Sequence, residues 1–281
     1  MVDFTIVQPS EVLKGVIECF RLATYTANEK LAIRVCPNGM PGIVFQHRQG
    51  KSAIESIVAD SGRVVYTPLM FVHGQVTEVT IMNIRGPFTT IQAVLKPYAL
   101  KTLFGLHASE LTNGSTTLVR LCPGVPEAVD LDRNLVESND DTERIALFGR
   151  FLETLVTVGH TRDLLVEKSI ELVSRNITTV TVNVLCRLLR LSERQFERRF
   201  LKTVGISPQL YIRMRRVNEA LRLMDTSKFE RLSDVAYELN YYDQSHFIRD
   251  VKTFSGTTPK SIAQKVNDFH NDMVGSSYLN W

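Results

Sequence analysis

The sequence contains no run of about 18 apolar residues, and its start (Met1, Val2, Asp3, Phe4) lacks a basic patch followed by an apolar core. Neither a transmembrane helix nor a secretory leader is therefore expected, and a cytoplasmic location away from membranes follows. Cysteine is scarce: Cys19, Cys36, Cys122 and Cys186 are scattered, with no CxxC pair and no nearby histidine. That pattern argues against a zinc site and against a disulfide framework, and it predicts reduced, mostly buried thiols. Histidine is equally sparse at six residues. His47 and His73 stand alone on strand-like segments without carboxylate partners, so structural roles are expected, with no catalytic metal and no cofactor. A nucleophilic cysteine enzyme would need a thiol in a basic setting with partners, and none of the four has one. No enzymatic activity is expected.

What is present is an ordinary globular composition over 281 residues, 44% hydrophobic and 22% charged, with a net charge of only +3. That length leaves room for two domains. The charge becomes informative once divided. Residues 165–281 hold 18 Lys and Arg against 13 Asp and Glu, a net of +5, whereas residues 1–164 hold 15 against 17. The densest stretch, Val182 to Arg222, has 10 basic and 3 acidic residues. Such a local excess attracts polyanions, though a solvated helical face would look the same.

The two halves follow different patterns. Leu31 to Cys36, Gly42 to His47, Ala53 to Ala59, Arg63 to Tyr66, Val76 to Met82 and Thr89 to Lys96 are short, rich in β-branched residues and separated by turns such as Asn38-Gly39, Ser61-Gly62 and Gly86-Pro87. They predict an antiparallel barrel or sandwich. Helical periodicity begins near Pro97, continues from Leu103 to Leu111 and resumes at Thr142, where Ile145, Phe148, Phe151, Leu152, Leu155 and Val156 share one face. That stripe reads as core, or alternatively as the seam of a homodimer.

Sliding the C-terminal segment against itself by 51 residues reveals a repeat. Val184 falls on Val235, Leu188 on Leu239, Phe196 on Phe247, Arg198 on Arg249, Phe200 on Val251, Gly205 on Gly256 and Pro208 on Pro259. Each copy reads as a short helix, a tight turn, a second helix opened by an N-cap (Ser192 or Asp243), a glycine stop, and a polar-Pro pair that starts another helix. Ser192 with Gln195 is a capping box. In the first copy Phe196, Phe200 and Val204 share the inner side, leaving Arg194, Glu197, Arg198 and Leu201 or Lys202 outward. In the second, Phe247, Val251 and Phe254 point inward, and Gln244, Ser245, His246, Arg249 and Lys252 outward. A short braced helix that shows Arg and Gln from its first turns suits the major groove of double-stranded DNA. Between the copies, Leu210, Met214, Val217, Leu221 and Met224 form one stripe of a connecting helix of roughly 24 Å, counting about 16 residues. Arg213, Arg215, Arg216 and Arg222 would then lie near phosphates, or serve as solvated surface charges.

These residues carry a resemblance. LCRLLRLSERQFERRFLKTVGISPQLYI (185–212) and LSDVAYELNYYDQSHFIRDVKTFSGTTPKSI (232–262) resemble the two helix-turn-helix units of the AraC/XylS family of bacterial transcription regulators. The resemblance spans about 100 residues and implies contacts to bases and phosphates at Arg194, Glu197 and Arg198 in the first unit and at Gln244, Ser245, His246 and Arg249 in the second. It also implies RNA polymerase as a partner, an activator's role, and an N-terminal domain controlled by a small-molecule effector or by self-association. FTTIQAVLKPYALKTLFGLHASELTNG (88–114) is similar to the sensor region of some members, in which a cupin-like barrel is common. Asn240 stands where relatives have Gly, a change that the left-handed turn tolerates. Asp250 places an acid beside the second reading helix, which predicts looser DNA binding by that unit. The expected organisation is a β-rich sensor or dimerisation domain with trailing helices at 1–160, an all-α DNA-binding domain at 164–267 and a tail at 268–281.

Overall fold

The computed structural model describes residues 2–225, 231–264, 269–271 and 277–280, with side chains described as far as residue 262. The N-terminal half runs β1 (Asp3–Val7), β2 (Ile17–Tyr25), β3 (Lys30–Val35), β4 (Gly42–His47), β5 (Ile54–Ala59), β6 (Val64–Val65), β7 (Met70–His73), β8 (Thr80–Arg85) and β9 (Phe88–Leu95). Helix α1 (Ala99–Phe104), a 3-10 turn (Ala108–Leu111), β10 (Ser115–Thr116), α2 (Leu118–Leu121), α3 (Glu127–Glu137) and α4 (Asp141–Val158) follow. The helical part comprises α5 (Leu164–Arg175), α6 (Val182–Leu189), α7 (Glu193–Val204), α8 (Pro208–Asp225), α9 (Leu232–Glu238), α10 (Gln244–Ser255) and α11 (Pro259–Gln264). Strands β11 (Phe269–Asn271) and β12 (Ser277–Asn280) complete the order.

The strands form two antiparallel sheets, ordered β1-β2-β9-β4-β7-β10 and β11-β12-β3-β8-β5-β6. Among the described residues neither sheet closes on itself, so the expected barrel-or-sandwich is realised as an open sandwich. The first sheet is covered on both faces. Ile17, Phe20, Ile43, Phe45, Ile91 and Leu95 pack against α1, α3 and α4, while Tyr25, Val44, Phe71 and Phe88 face the second sheet through Ile33, Ile54 and Ile84. Burial on both faces removes the polar alternation that marks a strand, which is why the longest strand, β2, escapes a reading by periodicity. Strands β1, β7 and β10 were also unread; the segment expected at Val76 to Met82 begins later, at Thr80.

The stripe from Ile145 to Val156 lies in this core, with Phe148 touching Phe20 at 5.9 Å between ring centres. It is spent inside the subunit and offers no dimer seam. A separate core unites α5 to α11 around Phe196, Phe200, Val217, Leu221, Phe247 and Phe254. Beyond it the chain turns back: β12 pairs with the edge of β3, placing Leu279 beside Arg34 in the register.

Candidate DNA interface

Each repeat is a helix pair built from local chemistry. Thr181 caps α6 by accepting the Val184 amide at 3.3 Å. Arg190 turns the chain at φ 54°, and Ser192 opens α7 with the reciprocal Ser192–Gln195 capping box. In the second unit the Asp234 carboxylate accepts the Arg231 amide at 3.2 Å, Asn240 turns the chain at φ 54°, and Asp243 caps α10 by accepting the His246 amide at 2.7 Å. Asn240 thus adopts the left-handed conformation for which glycine was the alternative. Both second helices end on left-handed glycines, Gly205 and Gly256.

The apolar sides of α7 and α10 are buried as the spacing predicts, with Phe196 and Phe247 at the centre and Phe200 packed on Tyr211 at 5.5 Å. Arg194, Glu197, Arg198 and Lys202 are exposed together on α7; Gln244, Ser245, Arg249 and Lys252 are exposed on α10, and His246 is half-buried. Each unit therefore presents a polar ridge, mostly basic on α7, from a helix whose other side is anchored.

The repeat needs one correction. Leu188 is 61% exposed whereas its 51-residue counterpart Leu239 is 1% exposed. The first helices correspond at an offset of 50: Leu185 and Cys186 are buried like Val235 and Ala236. The Leu191 amide donates to the Cys186 carbonyl just as the Tyr241 amide donates to that of Ala236. The second helices of the two units, α7 and α10, keep the offset of 51, so the second turn is one residue longer. The extra residue is Tyr242, 94% exposed immediately before the N-cap. Tyr237 on α9 is also exposed, and neither aromatic was singled out from sequence. Their signal was present: two tyrosines fall where an inward apolar residue has no place in the register.

The arginines of α8 all have partners within the protein. Arg213 is bound to Asp250 at 2.7 Å, Arg215 donates to the Asn38 carbonyl at 2.9 Å, Arg216 reaches the carbonyls of Ile177 and Val180, and Arg222 pairs with Glu219 at 2.6 Å. Arg213, Arg215 and Arg216 thus tie α8 to other elements of the fold, whereas Arg222 pairs within its own helix. Asp250 is 2% exposed and points inward, with His246 Nε2 at 3.6 Å. An inward carboxylate neutralised by Arg213 gives phosphates little to avoid, which removes the basis for looser binding by the second unit. Arg199 on α7 is bound to Asp163, the N-cap of α5, at 2.8 Å.

The N-terminal half touches both units. Thr112 Oγ1 donates to the Gly205 carbonyl at 2.6 Å, the loop Pro37–Gly39 lies on α8, and Arg34 reaches the Ser255 carbonyl at the end of α10. The cysteines are all buried; burial raises the Cys36 thiol to about 12 and the Cys122 thiol to about 11, which disfavours the nucleophilic thiolate. Among the described residues no cluster of His, Cys, Asp and Glu could hold a metal, and no helix is long and apolar enough to cross a membrane.

Residues 185–265 match a helix-turn-helix domain, and residues 5–117 match a domain of unknown function (DUF6597). No curated protein matches the sequence. Solved structures similar to the chain include ToxT from Vibrio cholerae, 16% identical over 87% of this chain and 97% of that one, with a TM-score of 0.46. An unsaturated-fatty-acid-bound ToxT from strain SCE256 of the same organism is 13% identical, covering 94% of each chain, with a TM-score of 0.45. The AraC-like transcriptional activator CuxR is 18% identical over 78% of this chain and 86% of that one, with a TM-score of 0.27. The helix-turn-helix match falls on the duplicated unit whose two capped, outward-facing helices are described above, and this part of the chain is a helix-turn-helix domain.

Proposed function

We propose that the chain recognises a specific DNA site by placing α7 and α10 in successive major grooves of one face of the duplex. The observation that carries this reading is the pair of exposed ridges, Arg194, Glu197, Arg198 and Lys202 on α7 and Gln244, Ser245, His246, Arg249 and Lys252 on α10, each on a helix anchored by a buried Phe. Arg198 and Arg249 occupy equivalent positions and suit bidentate contact with guanine. The connecting helix α8 has 18 residues. At 1.5 Å per residue it spans about 27 Å, so its ends and a modest DNA bend supply the rest of a turn of about 34 Å. Arg213 supports α10 from behind in this reading.

Residues 164–267 form the DNA-binding domain and residues 1–160 a control domain acting through an effector or self-association, with 268–281 a tail whose strand Ser277–Asn280 pairs with the control domain. RNA polymerase is the partner through which a bound regulator of this kind acts. The test is selection of binding sites from genomic fragments at near-physiological salt. A motif with two half-elements a helical turn apart, weakened by about 1–3 kcal/mol in both Arg198→Ala and Arg249→Ala, supports two-unit reading. Loss with only one substitution reduces the other unit to an anchor, and absence of any enriched sequence rejects the proposal.

A further inference from the structure

The two helix-turn-helix units differ in what precedes their second helices. Over 182–192, which holds α6 and the first turn, the chain carries Arg187 and Arg190 and no acid. The corresponding stretch of the second unit, 232–243, carries Asp234, Glu238 and Asp243 and no Lys or Arg. Arg231 precedes it, at the end of α9 remote from the turn. Both stretches have the same backbone plan: a short helix, a residue at φ 54° (Arg190 or Asn240) and an N-cap. The reversal of charge is therefore a change of chemistry on one scaffold.

At the offset of 50 that relates the first helices, Arg187 corresponds to Tyr237 and Arg190 to Asn240. All four side chains are exposed. Among the described residues the guanidiniums of Arg187 and Arg190 have no protein partner, unlike the arginines of α8. The second unit adds Tyr242 in its longer turn. Tyr237 is 87% exposed and Tyr242 94%, and neither hydroxyl has a partner among the described residues. A tyrosine ring left in water forgoes the gain of burying its apolar area, and such rings are enriched where one molecule meets another.

Position decides what covers them. In a helix-turn-helix the second helix enters the major groove by its first turns, while the helix before it crosses the phosphate backbone. Residues of the first helix and of the turn therefore face the rim of the groove that the second helix occupies. In the first unit that rim meets two guanidiniums. In the second the ionised groups are carboxylates, which phosphates repel, so attraction there has to come from neutral groups, and Tyr237 and Tyr242 are the large ones. A tyrosine hydroxyl can donate to a phosphate oxygen without neutralising it, so no counterion is released.

We propose that the two units hold the DNA backbone by different chemistry: the first through Arg187 and Arg190 on phosphates, the second through Tyr237 and Tyr242, whose hydroxyls donate to phosphate oxygens beside the groove that α10 enters. The salt dependence of binding then belongs mainly to the first unit. This inference rests on the reading that α7 and α10 enter DNA.

Fluorescence titration of the full chain with a duplex carrying the selected site, repeated between about 50 and 200 mM salt, tests it. Arg187→Gln and Arg190→Gln should each make the slope of log affinity against log salt shallower by about one unit. Tyr237→Ala and Tyr242→Ala should each weaken binding by about fivefold or more with the slope unchanged, and Tyr242→Phe should lose the share of the hydroxyl. The four positions are exposed, so urea midpoints should match that of the unaltered chain; if an alanine variant unfolds, Tyr237→Phe and Tyr242→Phe carry the comparison. Tyrosine variants that bind as the unaltered chain does overturn the inference and assign the rings to a protein partner. An unchanged slope in the glutamine variants, or a shallower slope in the tyrosine variants, overturns the division of chemistry. A chain that binds no duplex refutes the DNA-binding reading and this inference with it, whereas full binding with the tyrosines idle fails the inference alone.

Discussion

Asp250 and Arg213 form an ion pair of 2.7 Å between the second reading helix and the connecting helix. The first unit contains the reverse arrangement, Arg199 of the reading helix bound to Asp163 at 2.8 Å. Residues 163 and 213 precede their reading helices by nearly the same interval, and residues 199 and 250 are equivalent under the 51-residue shift. The duplicated unit thus keeps the cross-brace and exchanges its signs. In each case the carboxylate is the buried member and the guanidinium lies nearer the surface.

Asp250→Ala is accordingly expected to lower stability without tightening DNA binding. The Arg213 guanidinium is partly exposed and can be resolvated, so the loss should be about 1–2 kcal/mol, below that of a wholly buried pair. Urea denaturation with a double-mutant cycle on Arg213→Ala measures the coupling. A gain in DNA affinity in Asp250→Ala would restore the view that this acid repels phosphates.

Arg194 and Arg216 should behave differently although both lie in the basic stretch. Arg194 is exposed on α7, and Arg194→Ala should reduce the slope of log affinity against log salt by about one unit with little change in stability. Arg216 donates to two carbonyls and lies 5.8 Å over the Tyr241 ring. Arg216→Ala should cost about 1–2 kcal/mol of stability and leave the salt slope nearly unchanged. Equal salt slopes for the two variants would contradict this division.

Gly205→Ala tests the seat of the first unit. Gly205 has φ 99°, and a Cβ would lie 2.9 Å from both the Ala108 carbonyl and Thr112 Oγ1. Backbone strain and the clash act together, so a loss of at least about 1 kcal/mol is expected, with weaker contact between the two halves. Thermal unfolding together with limited proteolysis between residues 158 and 164 reads both effects, and an unchanged midpoint would argue against this close approach.

Burial lowers the pKa of both His47 and His73. The unfolded chain therefore takes up protons below the ordinary imidazole value, about 6.5, that the folded chain resists. The histidine contribution to stability is fully present above that value and is lost as pH falls from it towards the depressed folded pKa. Urea midpoints should fall between pH 7.5 and 5.5, and His73→Gln should flatten the decline. A midpoint that rises on acidification would reverse the sign.

The sequence by itself determined what is local. Ser192, Asp243, Gly205 and Gly256 cap and stop helices through bonds to their own neighbours, and Phe196 and Phe247 recur at the spacing that buries one helical face, so both reading helices and their outward residues were legible. The charge excess of α8 was legible too, but not its use. Whether Arg213, Arg215 and Arg216 meet solvent, phosphate or protein depends on what packs opposite them, and the partners Asp250, Asn38 and Ile177 lie 37, 177 and 39 positions away. Tertiary structure likewise decided that β2 is a strand buried on both faces and that the 145–156 stripe is core. Periodicity reports one face of one element, whereas burial of both faces and the pairing of charges are set by elements that meet only when the chain has folded.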